Sequence, residues 1–302
     1  MPSTRRLPSA QNSPSNRPTT PLGAHSLTQS SVTGSYLYVT VQVTRDGHPV
    51  ICSQWLLAED NYELGVADVT LSQYLSLAER LDRKLGPLES SSNLQEMYTT
   101  VVHSMTSLAH LLKVLPPSVG VCLEVAYAPV RVRERHGLRH HPSLNDTVDA
   151  VLRTIYATSS LEGQAARRNV VFTSFSPDIC SALNWKQPNY PVFFASQYGQ
   201  SNAACPSATA LSLADAHDYR LSSIGAAVEW CKMNNLLGLL LDGNLLGKIP
   251  SLAQGAKDFG LLVGAFGRPD DLSVFAGGND TSGVDALLQD GILTYFDHSK
   301  RV

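Results

Sequence analysis

The chain has 302 residues, of which 43% are apolar and 16% charged, enough to bury one sizeable hydrophobic core. Its 23 Lys and Arg residues against 26 Asp and Glu residues give a net charge of −3, which excludes the strongly basic surface of a nucleic-acid-binding protein. No apolar run reaches the ~20 residues that cross a membrane, and we expect no secretory signal. The five cysteines are widely spaced and odd in number, so we expect free thiols and a cytoplasmic or nuclear location.

The N-terminal segment, residues 1–22, is rich in Ser, Pro and Thr and has almost no apolar content. Such a segment cannot offset its ordering entropy, so we predict a disordered tail there and a single domain over residues 23–302. Residues 23–28 could form a short first strand, and His25 within it is a weak candidate for a catalytic residue. An ordinary polar histidine is the alternative.

The segment Tyr38–Trp55 has the pattern of a strand, a tight turn and a second strand. Valines at 39, 41 and 43 alternate with polar residues, which is the period of a half-buried strand. Asp46-Gly47 supplies the turn, because glycine adopts a positive φ at no steric cost. The chain then continues as an extended run from His48.

Buried apolar runs alternate with helical segments through the rest of the chain. A helix is predicted after Thr70 as N-cap, and another over 106–115, before two prolines. The predicted strands are 119–127, 170–175, 191–195, 236–241, 261–266 and 291–295. The predicted helices between them are 144–156, 177–183, 222–233, 249–259 and 283–289. This alternation predicts an α/β fold, a (β/α)8 TIM-like barrel, with an incomplete first β/α unit as one alternative.

Residues 41–50 resemble the best-known segment of the glycerophosphodiester phosphodiesterase family, E-x-D-V-Q-x-T-x-D-G-x-P-V-V-x-H-D. Val41-Gln42, Thr44, Asp46-Gly47 and Pro49-Val50 match that pattern. Phe172–Cys180 is similar to the family's S-S-F-x-P-D block. The resemblance extends from about Leu37 to Phe296 and implies the family's barrel.

The family's reactive groups are absent at the matching positions. Its metal-binding Glu and Asp fall on Tyr38 and Thr40, and its catalytic His-Asp pair falls on Ser53-Gln54. Its phosphate-neutralising Lys falls on Ala126, and the Asp of its last strand is replaced by Tyr295. Hydrolysis in this family needs a divalent cation, Mg²⁺ or Ca²⁺, together with an acid and a base. The resemblance therefore implies the fold more strongly than the reaction.

A few candidate site residues remain. Glu124 is the metal ligand that the resemblance carries over, and Asp242, at the end of another predicted strand, is a second carboxylate on the same rim. Ser174 and Lys186 are candidates for contacts with a phosphate group. The alternatives are a buried, hydrogen-bonded carboxylate at Glu124, a helix cap at Ser174 and a surface lysine at Lys186.

One subgroup of the family is more similar than its enzymes. Leu64–Thr70 and Asn184–Tyr190 look like the degenerate domain of fungal phosphate-starvation regulators that inhibit a cyclin-dependent kinase. This resemblance implies a regulatory or interaction module without a cofactor, whose partner is a cyclin-dependent kinase/cyclin pair or a phosphate-containing small molecule. The alternative is an active, metal-dependent phosphodiesterase on glycerophosphocholine-like substrates. A third interpretation is a fragment without a function of its own.

Overall fold

The structure is a computed structural model that describes residues 32–57, 64–88, 93–161, 168–198, 205–275 and 283–296. Its strands are β1 Gly34–Val43, β2 Pro49–Ile51, β3 Gly120–Val125, β4 Val170–Ser174, β5 Val192–Ser196, β6 Gly238–Asp242, β7 Leu262–Phe266, β8 Ala286–Gln289 and β9 Ile292–Tyr295. Its α-helices are α1 Leu71–Arg80, α2 Leu94–Val102, α3 Leu108–Val114, α4 Val130–His136, α5 Leu144–Leu161, α6 Pro177–Lys186, α7 Leu213–Ala216, α8 Ile224–Met233, α9 Gly243–Lys248, α10 Ser251–Asp258 and α11 Pro269–Leu272.

Eight of the strands close into a barrel. β1 and β3 to β8 follow one another in parallel, and β9 closes the ring by pairing with both β8 and β1. β9 runs antiparallel to both neighbours, and β2 is an additional antiparallel strand on the C-terminal half of β1. The predicted (β/α)8-like barrel is therefore confirmed, with one antiparallel strand in its wall.

The closing hairpin of the barrel differs from the sequence prediction. Residues 283–289 were predicted to be helical, but Ala286–Gln289 forms β8, a buried strand with too few residues to show a period. Asp290 and Gly291, with φ of 48° and 76°, make the two-residue turn into β9. The strand predicted at 23–28, which includes His25, lies outside the described residues.

The other sequence signals locate their elements to within a few residues. Thr70 caps α1 and accepts a hydrogen bond from the Gln73 amide, as predicted. The helix predicted over 106–115 begins after the cap at Ser107 and ends one residue before Leu115. All five cysteines are free thiols, in agreement with the prediction.

Aromatic rings fill the barrel interior near the N-terminal ends of the parallel strands. The Tyr295 ring lies 5.7 Å from that of Tyr36 and 6.1 Å from that of Phe193. Two inward-facing glycines make room for these rings: a Cβ at Gly120 would lie 2.6 Å from the Tyr36 ring, and one at Gly238 would lie 2.6 Å from the Phe193 ring. The interior is thus a packed core at this end, and any site must lie at the opposite end of the strands.

Candidate functional site

The polar residues of the barrel interior lie at the C-terminal ends of the parallel strands. Thr40 on β1 pairs in register with Glu124 on β3, and Glu124 pairs with Thr173 on β4. Register partners in parallel strands face the same side of the sheet, so these three side chains share one level of the interior. Functional residues of such barrels gather at this end.

The carboxylate of Glu124 is the centre of this level. It is 1% exposed. Its Oε2 accepts hydrogen bonds from the Tyr38 hydroxyl at 2.6 Å and the Thr40 hydroxyl at 2.9 Å. Its Oε1 accepts one from the Thr209 hydroxyl at 3.0 Å. A buried carboxylate is costly unless hydrogen-bonded, and here three neutral donors stabilise it.

The segment Cys205–Ala210 places Thr209 in this network. It follows β5 and is held over the barrel mouth, where the Ala208 amide donates a 3.0 Å hydrogen bond to the Ser53 carbonyl. The Ser207 hydroxyl lies 3.0 Å from that of Thr209. Sequence reasoning missed this segment, because Ser and Thr in a polar loop carry no signal for a contact 85 residues away.

Negative charge from the two rim carboxylates reaches Cys205. Burial, and then the charges of Asp242 and Glu124, raise the pKa of the Cys205 thiol to about 12. Burial and the Glu124 carboxylate also raise the pKa of Tyr38 well above its usual value. The phenol therefore stays protonated and keeps donating to Glu124.

Asp242 lies on the same rim but outside the Glu124 network. It ends β6, is 5% exposed, and its Oδ1 accepts a 3.1 Å hydrogen bond from the Asn244 amide at the start of α9. Burial raises the pKa of this carboxyl. Two buried hydroxyls at this end of the barrel, those of Thr173 and Tyr198, have no hydrogen-bond partner among the described residues.

The two candidates for phosphate contacts bond to groups outside the Glu124 network. Ser174 is buried, donates to the Val125 carbonyl at 2.6 Å and accepts from the Ser176 amide at 3.1 Å, which shapes the turn into α6. Lys186 is the last residue of α6, at the end away from the mouth, and its Nζ lies 2.7 Å from the Asp149 carboxylate. Glu124, Asp242 and Ser174 thus lie at the same rim, where backbone groups engage the Ser174 hydroxyl. The Lys186 ammonium lies at the far end of α6.

A cavity of about 280 Å³ opens beside the Glu124 network. Hydroxyl, amide and thiol side chains line it together with apolar ones. The residues in contact with it are Tyr38, Val39, Thr40, Ile51, Cys52, Ser53, Gln54, Tyr98, Val102, Cys205, Pro206, Ser207 and Ala208. The described residues of this lining include no Lys, Arg or His that would neutralise the charge of a phosphodiester.

The donor set at Glu124 does not fit a divalent cation. Mg²⁺ and Ca²⁺ need several oxygen ligands, among them carboxylates, with their lone pairs directed at the ion. Here one carboxylate is present and its oxygens accept three hydroxyl protons. Within the described ranges, no three His, Cys, Asp or Glu side chains are grouped so that they could hold a metal ion.

Comparison of the chain with known proteins identifies a family with this fold. Residues 33–294 match the Glycerophosphoryl diester phosphodiesterase family. The chain belongs to this family. The match spans the barrel from before β1 into β9. The resemblance stated from the sequence is therefore confirmed.

The curated relatives include an ankyrin repeat protein, a regulatory protein and glycerophosphocholine phosphodiesterases. The chain is 27% identical to ankyrin repeat protein nuc-2 of Neurospora crassa over 87% of its length and 28% of that protein. It is 27% identical to glycerophosphocholine phosphodiesterase GDE1 of Candida albicans, over 87% of the chain and 25% of the relative. It is 25% identical to phosphate system positive regulatory protein PHO81 of Saccharomyces cerevisiae, over 83% and 23%. The chain thus spans about a quarter of the length of these relatives.

Solved structures support the fold. A glycerophosphoryl diester phosphodiesterase structure from Silicibacter pomeroyi superposes with a TM-score of 0.54 and 20% identity, covering 86% of this chain and 81% of that one. A phosphodiesterase from Oleispira antarctica gives 0.50 and 16%, covering 87% and 83%. The described residues contain no helix that is long and apolar enough to span a membrane.

Proposed function

We propose that this domain is a regulatory or interaction module that has lost the hydrolytic chemistry of its family. One observation carries the proposal: the Glu124 carboxylate, which the resemblance assigns to a metal, is bonded by the hydroxyls of Tyr38, Thr40 and Thr209. Three of the roughly four lone-pair directions of this carboxylate thus accept a hydroxyl proton. The general acid and base have no counterpart at Ser53-Gln54 either.

The regulatory part of the proposal rests on the relatives. Two of them, nuc-2 and PHO81, match 87% and 83% of this chain, and PHO81 is described as a phosphate system regulator. We therefore infer a role in phosphate-starvation signalling, with a cyclin-dependent kinase/cyclin pair as the proposed partner. Titrating the domain into such a purified kinase pair and following phosphorylation of a substrate tests this partner. Unchanged activity at saturating domain, together with no complex in sedimentation, would contradict it.

Loss of hydrolysis is tested directly. Release of glycerol phosphate from glycerophosphocholine is measured with Mg²⁺ or Ca²⁺ for the wild-type domain and for Glu124→Ala, beside Candida albicans GDE1 as an active control. We expect no turnover from either form. Metal-dependent turnover that disappears in Glu124→Ala would instead establish an active phosphodiesterase with an altered site.

A restoring variant tests the physical reason. Tyr38→Glu combined with Thr40→Asp places three carboxylates together, which repel one another unless a cation lies between them. We expect this double variant to melt at a lower temperature and to recover when Ca²⁺ or Mg²⁺ is added. The wild-type melting temperature should not respond to either ion. A Glu124-dependent rise in the wild-type melting temperature would show that the native donor set holds a cation after all.

A further inference from the structure

The helix that follows β3 and the loop after it carry a cluster of arginines. Residues 130–141, VRVRERHGLRHH, contain four Arg, three His and one Glu, in a chain whose net charge is −3. The segment starts five residues after β3 ends, so it lies on the rim at the C-terminal end of the barrel. None of the candidate site residues belongs to it.

Three of the four arginines have no side-chain partner among the described residues. Arg135 forms an ion pair with Asp215 on α7. Arg131, Arg133 and Arg139 form no ion pair and no side-chain hydrogen bond with any residue in the described part of the chain. The Nε of Arg133 is shielded from solvent and donates to no acceptor there. A guanidinium N–H that has lost water without gaining an acceptor is a cost that an incoming anion would remove.

Two described carboxylates near this segment, those of Asp68 and Asp178, already have partners. Asp68 accepts from the amides of Gly65 and His140 at 2.9 and 3.0 Å, and its Oδ1 lies 2.9 Å from the His140 Nδ1. Its side chain is 4% exposed, while that of His140 is 51% exposed. Asp178, which acts electrostatically on Tyr127, lies 2.8 Å from Arg220. Glu134 is the one acidic residue within the arginine-rich segment itself.

The arginines spread over the rim. Residues two apart on a helix point about 200° apart, so Arg131 and Arg133 lie on opposite flanks of α4, with the buried Val132 between them facing the core. Arg139 lies beyond Gly137, whose φ of 63° ends the helix. Guanidinium groups arranged in this way cannot converge on one small anion. They match an extended chain that carries several negative charges.

We propose that Arg131, Arg133, Arg139 and His140, together the arginine surface, bind an acidic segment of a partner protein. Guanidinium forks bind carboxylates in bidentate geometry, and the segment uses Arg at every cationic position without a single Lys. A nucleic acid fits less well, because its binding needs an extended basic field and the chain is acidic overall. The inference does not depend on whether the Glu124 site hydrolyses a substrate.

The test uses the full chain and a fluorescein-labelled oligoglutamate peptide of about 12 residues, followed by anisotropy at low and physiological salt. The triple variant Arg131→Gln/Arg133→Gln/Arg139→Gln is compared with a control that loses the same number of cations at exposed positions, Lys113→Gln/Arg153→Gln/Arg268→Gln. We expect the first to bind at least about ten-fold more weakly than wild type and the second to bind as wild type does. Wild-type affinity should fall as salt rises.

Three results would overturn the proposal. Equal affinity of the two triple variants would show that only net charge matters. No saturable binding of the peptide by wild type at low salt would show that the surface binds no acidic chain. Tighter, arginine-dependent binding of duplex RNA or of vesicles containing phosphatidylserine would assign the surface to a different class of ligand. Circular dichroism of both variants shows whether they are folded.

Discussion

The Tyr38 hydroxyl donates a 2.6 Å hydrogen bond to the Glu124 carboxylate, at a position where the family pattern has a metal-binding carboxylate. The substitution changes the chemistry of the barrel mouth more than its shape. An anion that would repel Glu124 in the absence of a cation is replaced by a donor that stabilises it. The donor that stabilises Glu124 thus stands where the family pattern has a ligand for the cation.

Removing this donor should be costly. Hydrogen bonds to charged groups contribute roughly 1.5–3 kcal/mol, against roughly 0.5–1.5 kcal/mol for neutral pairs. We expect Tyr38→Phe to lower the free energy of unfolding by about 1.5–3 kcal/mol in urea denaturation. The control is Tyr74→Phe, another buried tyrosine, whose hydroxyl donates to the neutral Ile51 carbonyl at 2.6 Å. A smaller loss for Tyr38→Phe than for Tyr74→Phe would contradict a stronger hydrogen bond at Tyr38.

Thr209 should matter through its hydroxyl alone. Thr209→Val keeps the shape but removes the donor to Glu124 Oε1, whereas Thr209→Ser keeps the donor. We expect a loss of about 1.5–3 kcal/mol in the free energy of unfolding for the valine variant and less than half of that for the serine variant. The same urea denaturation measures both. Similar losses in the two variants would mean that the methyl group, and not the hydroxyl, holds the segment in place.

The thiol of Cys205 should react slowly. With a pKa of about 12, four units above pH 8, about one thiol in ten thousand is a thiolate at that pH. We expect Glu124→Gln and Asp242→Asn each to speed alkylation by iodoacetamide, because each removes a negative charge that opposes ionisation. Peptide mass spectrometry measures the rate, and Asp258→Asn on the exposed side of α10 is the control. Rates unchanged in both rim variants would show that burial alone protects the thiol.

His141 should make the domain sensitive to mild acid. Burial and then the charge of Arg133 lower the pKa of His141 from 6.5 to about 4, and its ring lies 4.5 Å from that of Tyr127. The unfolded chain therefore binds a proton between pH 6.5 and 4 that the folded chain does not. The stabilisation is present above pH 6.5 and is lost as the pH falls through about 4.

The corresponding measurement compares denaturation curves from pH 7 to pH 4. We expect the free energy of unfolding to fall less steeply with falling pH in His141→Gln than in wild type. The difference between the two slopes should be below ~1.4 kcal/mol per pH unit, the value for one whole proton. His110→Gln, an exposed histidine on α3, should leave the slope unchanged. If the free energy of unfolding of His141→Gln falls with pH as steeply as that of wild type, His141 is not the cause of the acid sensitivity.

The sequence predicted the barrel because buried strands and amphipathic helices alternate with clear periods. It failed at β8, since a strand of four residues, three of them buried, shows no period that separates a strand from a helix. The sequence also left open how the barrel closes. The chain turns back at Asp290-Gly291, and β9 then pairs with β1, where Ile292 is the register partner of Leu37, 255 residues earlier in the chain. A local sequence pattern does not show which distant strands pair with each other.

Sequence reasoning identified the central carboxylate of the site but not all of its hydrogen-bond partners. Glu124 was identified through the family pattern, and its hydrogen-bonded alternative named, but the identity of its partners depended on a loop contact. Thr209 has no spacing relation to Glu124, so only the folded chain brings them to 3.0 Å. Lys186 was a candidate for a phosphate contact, with a surface lysine as the alternative, and the direction of α6 carries it to the far end of the barrel.

The barrel interior gives the last prediction. A Cβ at Gly238 would lie 2.3 Å from the Leu262 carbonyl oxygen and 2.6 Å from the Phe193 ring, and a backbone atom cannot move away as a flexible side chain can. We expect Gly238→Ala to lower the free energy of unfolding by about 3 kcal/mol or more. Gly255→Ala is the matched control, because this glycine lies exposed in α10 with nothing within 4 Å of the added carbon. At position 255 alanine lowers the backbone entropy of the unfolded chain, so the free energy of unfolding should rise by about 0.5–1 kcal/mol. Equal effects of the two substitutions in urea denaturation would contradict the close approach of β6 and β7.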